Sequence, residues 1–157
     1  EKEKTFSEWL DTDQILVKPE YQLPPVIAPS SNAPAITKSL YHSESTLNGF
    51  EQKLINEIAN LENVVFWHKN IENKGFKLNG FINHYPDFIV KLRSERILLV
   101  EAKGDDRDNS DSARKQKLGQ LWASKAGNDY RYLMIFDNKQ MEGAFRLSDG
   151  IERIRQM

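Results

Sequence analysis

The sequence contains no cysteine. Disulfides and thiolate metal sites are therefore excluded, any metal is left to carboxylates and histidines, and the chain is expected to be cytoplasmic. No apolar run approaches the roughly 18 residues of a membrane span. No charged start followed by an apolar middle marks a signal peptide, so no membrane partner is expected. Net charge is lacking as well: 22 Lys plus Arg stand against 23 Asp plus Glu, for a balance of -1. Binding to nucleic acid would have to come from local clustering of charge. The chain opens with Glu1 and not Met, and is read as a piece cut from a longer protein. Its 157 residues suit one domain with a real core and an appended segment.

Five of the six prolines (Pro19, Pro24, Pro25, Pro29 and Pro34) fall in residues 1–44, among Ser, Asn and Ala. This is the composition of an arm or linker, and Leu23-Pro24-Pro25 and Ala33-Pro34 are expected to be extended. Phe6, Trp9, Leu10, Ile15, Leu16 and Val17 are too apolar for a fully solvated tail, so part of the arm is expected to dock. Residues 45–157 read as the folded domain. Phe50, Leu54, Ile55, Ile58 and Leu61 recur at helical steps, with Asn48 as cap. Glu51 reads two ways: as a carboxylate beside the buried face, or as the returning half of a capping box with Asn48.

Val64 to His68 is β-rich, and the turns Asn73-Lys74-Gly75 and Asn79-Gly80 set off two further short strands. Tyr85 to Val90, the turn Arg93 to Arg96, and Ile97 to Lys103 follow. Four short strands in succession predict an antiparallel meander, and the wholly apolar Ile97 to Val100 predicts a strand covered on both faces. Ser110 or Asp111 is placed to cap a helix carrying Leu118, Leu121, Trp122 and Ala126, with Arg114 and Lys117 continuing its stripe toward the helix start. Tyr130 to Phe136 is then a strand parallel to Ile97-Lys103 through a right-handed crossover. Phe145 to Leu147 reads as an edge strand, and Ser148 or Asp149 as the cap of a last helix. Trp67 and Trp122 read as core, and His68 and His84 as structural.

The second apolar strand breaks abruptly into Glu101-Ala102-Lys103-Gly104. Residues two apart share a strand face, so Glu101 and Lys103 point one way and Ala102 the other. Asp87 reaches that face only if paired residue numbers in the hairpin sum to an even value; opposed Cβ atoms then lie about 5 Å apart. Two carboxylates with oxygen-only ligands suit Mg²⁺ or Mn²⁺, with the Ala102 carbonyl as a third protein ligand. Lys103 would orient water and balance charge. Alone, Glu-x-Lys at a strand end is commonly a surface ion pair; the order of motifs and the upstream Glu51 make the combination less common.

Asn48-Gly49-Phe50-Glu51, Tyr85-Pro86-Asp87-Phe88-Ile89-Val90, Leu98-Leu99-Val100-Glu101-Ala102-Lys103-Gly104 and Lys117-Leu118-Gly119-Gln120-Leu121-Trp122 together resemble the PD-(D/E)XK nucleases. More closely they resemble the C-terminal endonuclease domain of type III restriction enzyme restriction subunits and related helicase-nuclease proteins, over roughly residues 40 to 136. The resemblance implies an α/β, restriction-endonuclease-like core: a mixed central sheet, antiparallel meander plus one parallel strand after a crossover helix, flanked by helices. It implies Mg²⁺-dependent hydrolysis of DNA phosphodiesters, with Mn²⁺ as a substitute. Glu51, Asp87, Glu101 and Lys103 would be catalytic, with Asp87, Glu101 and the Ala102 carbonyl on the metal. The partners implied are DNA, a helicase motor in the same full-length chain, through which alone ATP would act, and a modification or specificity subunit. Arg114, Lys115 and Lys117 are candidate phosphate contacts, as are Lys69, Lys74 and Lys77 across the groove. The acidic stretch 105–111 is expected to lie outside the groove or be disordered. The competing expectation is a catalytically silent nucleic-acid-binding or assembly module of the same fold.

Overall fold

The computed structural model describes residues 1–29 and 35–157; the extended segment expected at Ala33-Pro34 lies outside them. Helix α1 (Lys2–Asp11) opens the chain. Helix α2 (Gly49–Ala59) and strand β1 (Val64–Lys69) follow, then two short strands, β2 (Leu78–Asn79) and β3 (Asn83–His84). Next come β4 (Phe88–Leu92), β5 (Ile97–Lys103), helix α3 (Asn109–Ala126) and β6 (Tyr130–Phe136). The chain ends on β7 (Phe145–Arg146) and helix α4 (Leu147–Arg155). The fold is α/β: a five-stranded mixed sheet in the order β1-β4-β5-β6-β7, flanked by the four helices. None of these helices is long and apolar enough to cross a membrane.

The antiparallel part differs from the expected meander. β1 pairs directly with β4, and β2 and β3 form a separate two-stranded hairpin. The reason lies in length: two residues on each side offer too little ladder to compete with the long β1/β4 pairing, so the hairpin packs by its side chains instead, through Leu78, Phe81 and Ile82. The other pairings follow the sequence pattern. β4 and β5 are antiparallel across a tight turn in which Glu95 takes φ 69°, and β5 and β6 are parallel on either side of α3. β7 is a parallel edge strand.

Alternation along β5 divides the core. Leu98 and Val100 join Leu54, Ile55 and Ile58 of α2 and Ile151 and Ile154 of α4 on one face. Leu99 joins Leu118 and Trp122 of α3 and Tyr132 of β6 on the other. Each such buried aliphatic side chain contributes roughly 1.5–3 kcal/mol, which is why the strand is covered on both sides. Trp67 is fully buried on the first face, its Nε1 donating to the Thr37 carbonyl at 2.8 Å. The arm does dock: Leu10 is buried, Phe6 meets Phe81 edge-on at 5.8 Å, and Tyr21 packs on Phe76. Trp9 and Leu16 stay exposed.

Helix ends depart from expectation in two places. α3 is capped by Asp108, whose side chain accepts from the Ser110 amide, and not by Ser110 or Asp111. α4 begins at Leu147 after Arg146, with no side-chain cap from Ser148 or Asp149. The buried stripe at the start of α3 is Ser112 and Gln116, while Arg114 and Lys117 are exposed. Small and amide side chains go inward there because Gln116 can reach the Gly143 carbonyl, which an apolar periodicity does not register.

Candidate active site

The carboxyl-terminal ends of β1 and β5, the residue entering β4, the first turn of α2 and the first turns of α3 converge on one cleft of about 470 Å³. Asn48 and Glu51 lie in the α2 contribution, Lys69 in β1, Asp87 before β4, Glu101 in β5 and Lys115 in α3, with His84 of β3 on the same wall. The β4/β5 register pairs Phe88 with Val100 and Ile89 with Leu99, and its continuation by one residue sets Asp87 opposite Glu101. The even register expected from the sequence is therefore present.

Asp87 is anchored at both oxygens. Its Oδ2 accepts from the Ala102 amide at 2.8 Å, and its Oδ1 accepts from the Lys69 ammonium at 2.9 Å. In a strand the N–H and C=O of one residue point to the same edge, so the Ala102 carbonyl faces the side where the β4 ladder has ended. Asn70 supports this corner. Its amide donates to the Asp87 carbonyl at 2.8 Å, and its Nδ2 donates to the Pro86 carbonyl at 2.9 Å and to the Phe76 carbonyl at 2.7 Å.

Glu51 closes the capping box expected with Asn48 and also lines the cleft. Its Oε2 accepts from the Asn48 amide at 3.0 Å while Asn48 Oδ1 accepts from the Glu51 amide at 2.8 Å, a reciprocal capping box. Its Oε1 accepts from Lys69 Nζ at 3.1 Å inside the cleft. Lys69 thus bridges Glu51 and Asp87. Burial would lower its pKa, but the two carboxylates outweigh burial and raise it. The amine is firmly charged.

Glu101 sits on the same strand face as Leu99, under α3, and is 5 % exposed. Its Oε1 lies 3.4 Å from Lys103 Nζ and 3.9 Å from Lys115 Nζ, and both amines also meet Asp111 Oδ2, at 3.4 and 3.3 Å. Its Oε2 is buried and, among the described residues, has no hydrogen-bond partner. Burial, and then the charge of Asp87, push the Glu101 pKa well above the ordinary 4.5, against the pull of Lys103 and Lys115. Those same two amines overcome burial to hold Asp111 low. The acidic stretch lies outside the cleft lining, as expected: Asp111 alone pairs with the lysines of the site, and Asp105 accepts from the amides of Asn138 and Lys139.

His84, read from the sequence as structural, lies in the cleft with Nε2 2.7 Å from the Tyr132 hydroxyl and 3.9 Å from Glu101 Oε2. Burial, reinforced by Lys115, lowers its pKa to about 3, so the ring is neutral. His68 is structural, buried against Glu44 at 3.1 Å with Tyr41 edge-on to its ring. Of the candidate phosphate contacts, Lys115 lines the cleft; Arg114 and Lys117 do not, and Lys117 pairs with Glu3 of α1. Lys69, expected on the far wall of the groove, does line the cleft, but as a bridge between two carboxylates; Asn70 carried no signal in the sequence. Their roles arise from the β1/β4 pairing, which no local pattern shows.

Among the described residues, no group of three or more His, Asp or Glu is disposed to hold a metal by side chains alone. Two carboxylates and a backbone carbonyl remain as a smaller oxygen set of the kind Mg²⁺ accepts. The unpartnered, buried Glu101 Oε2 fits that use, since a buried carboxylate oxygen without a partner is costly. Compared with known protein families, with curated proteins and with solved structures, the chain matches none.

Proposed function

We propose that this cleft is the active site of a metal-dependent endonuclease that hydrolyses DNA phosphodiester bonds, built on a restriction-endonuclease-like core. The observation that carries the reading is the convergence of Asp87, Glu101 and Lys103 at the ends of two paired strands, with a buried Glu101 oxygen that accepts no hydrogen bond from the described residues. Asp87, Glu101 and the Ala102 carbonyl would hold Mg²⁺ or Mn²⁺. Such an ion would supply polarisation of the scissile phosphate and a more nucleophilic water.

The chain's own residues supply the rest. Lys103, held between Glu101 and Asp111, offsets the negative charge that develops on the phosphate. Lys115, 3.9 Å from Glu101, extends that positive wall toward the substrate backbone. Glu51 fixes Lys69, and through it the orientation of Asp87. Hydrolysis joins a water oxygen to phosphorus and breaks a phosphorus–ester oxygen bond, with a proton passing to the leaving oxygen.

The fuller reading is the cleavage module of a type III restriction or related helicase-nuclease protein. A helicase motor in the longer chain and a modification or specificity subunit would then deliver DNA. The second reading, a silent DNA-binding or assembly module, draws on Lys69, whose ammonium already occupies Asp87. Plasmid incubation with the purified chain in Mg²⁺, Mn²⁺ or EDTA separates the two. Cleavage that needs metal and is lost in Asp87→Ala and Lys103→Ala supports the nuclease. Cleavage that survives EDTA or both substitutions discards the metal mechanism. DNA binding by the intact chain with no cleavage in either metal favours the silent module.

A further inference from the structure

Lys69 stands where two elements from opposite sides of the sheet end meet. Its side chain is 13 % exposed, and those of Glu51 and Asp87 are 12 % and 19 % exposed. The ammonium lies 3.1 Å from one carboxylate and 2.9 Å from the other, and 5.2 Å from the centre of the Phe88 ring, which is fully buried. Like-charged carboxylates sharing a site repel unless a cation lies between them. Lys69 is that cation. Asp87 Oδ2 accepts from the Ala102 amide and Oδ1 from the Lys69 ammonium, so a divalent ion taken on the Oδ1 side meets Lys69 on the same oxygen. Two cations at ion-pair distance from one oxygen repel each other.

We propose that Lys69 is a resident counter-ion that competes with the divalent metal for Asp87 and must leave Oδ1 before the metal binds. It is a positioning residue: it keeps Asp87 and Glu51 ordered in the metal-free cleft and lowers metal affinity as the consequence. Its stem is long and unbranched, and Glu51 remains as a second partner when Asp87 is taken. The inference rests on the nuclease reading above.

Mn²⁺ binding to the whole purified chain, followed by calorimetry, tests it. Lys69→Met and, as a second variant of different polarity, Lys69→Gln should each bind Mn²⁺ about tenfold more tightly than the wild type, on the order of one partly solvated charge pair. Their melting temperatures in EDTA should fall by several degrees. Lys69→Arg, which keeps the charge, should stay near the wild-type affinity. A purely structural lysine would give the opposite: equal or weaker binding in the neutral variants, which overturns the proposal. Arg binding as tightly as Met overturns it too. Asp87→Asn tells the two levels apart. If the wild type binds no Mn²⁺, or Asp87→Asn binds as well as the wild type, the metal site itself fails and takes this inference with it. Wild-type binding that needs Asp87 but is indifferent to Lys69 removes the inference alone.

Discussion

The Asp87 carboxylate accepts a hydrogen bond from the Ala102 main-chain amide at 2.8 Å, past the point where the β4/β5 ladder stops. A side chain here does what the next rung of the ladder would have done, and it ties the position of one acidic residue to the strand that carries the other.

Asp87→Asn and Asp87→Ala should therefore differ in stability and agree in activity. The asparagine oxygen can still accept from Ala102, but its NH2 then faces the Lys69 ammonium donor to donor, so the variant keeps the backbone bond and loses the pairing with Lys69. The alanine leaves the Ala102 amide without a partner and Lys69 with Glu51 alone, at about 1–3 kcal/mol. Both should lower cleavage by a hundredfold or more, because neither presents a charged oxygen to metal. Chemical denaturation alongside plasmid cleavage checks this; equal stability of the two variants would show that the Ala102 bond contributes nothing.

Glu101 should give the chain a distinctive pH dependence. Its carboxyl titrates higher in the folded state than the ordinary 4.5. Below 4.5 both states carry the proton and the folded chain keeps its full stability. As pH rises, the unfolded chain loses its proton first, and stability falls until the folded group ionises. Glu101→Gln, neutral throughout, should remove that decline, seen as a melting temperature in EDTA that exceeds the wild type's progressively from pH 4.5 upward. His84 acts with the opposite sign: depressed from 6.5 to about 3, it costs stability as pH drops from 6.5 toward 3. His84→Gln should flatten that acid limb, and the two differences from wild type should be separable.

Much of the scaffold could be read from residue pattern alone. The alternation of β5, the crossover to β6 and the even register all follow from side-chain period and chain direction, which are local properties. The capping box was legible for the same reason, since Asn48 and Glu51 are three residues apart. What escaped was made by pairing across distance. Lys69, expected only as a phosphate contact on the groove wall, becomes the bridge between Glu51 and Asp87 once β1 is laid beside β4, and the place of His84 on the cleft wall depends on the β2/β3 hairpin. The start of α3 was misread because its inward residues are Ser112 and Gln116, polar groups buried through close packing and a backbone contact.

Asn70 should prove as costly to lose as a core residue. It is 3 % exposed, and its side chain makes three bonds: Oδ1 accepts from the Phe76 amide at 2.8 Å, and Nδ2 donates to the carbonyls of Phe76 and Pro86. Asn70→Ala leaves those backbone groups unpaired, so a loss of about 2–4 kcal/mol is expected. Pro86 precedes Asp87, so the carboxylate proposed to hold the metal should loosen as well, and Mn²⁺ affinity should fall in a variant that is still folded at low temperature. Unchanged Mn²⁺ affinity would mean that Lys69 and Ala102 suffice to hold Asp87.

Gly119 tests the coupling between the sheet and the positive wall of the cleft. A Cβ added there would lie 2.3 Å from Tyr132 Cδ1 and 2.4 Å from its Cγ, well inside contact distance. Neither partner can yield easily: Tyr132 is 3 % exposed, with its hydroxyl on His84. On helix propensity alone Gly119→Ala would gain about 1 kcal/mol. Overpacking costs about 1–3 kcal/mol and should win, lowering the melting temperature by a few degrees. The cheapest relief is for α3 to lift from β6. Lys115, one helical turn earlier, would then draw away from Glu101, so binding of a phosphate backbone should weaken while Asp87 keeps its place. Tyr132→Leu, which removes the ring, should lose stability by itself but offset part of the Gly119→Ala cost in the double variant. Strict additivity of the two changes would show that the clash is relieved elsewhere and that α3 does not move.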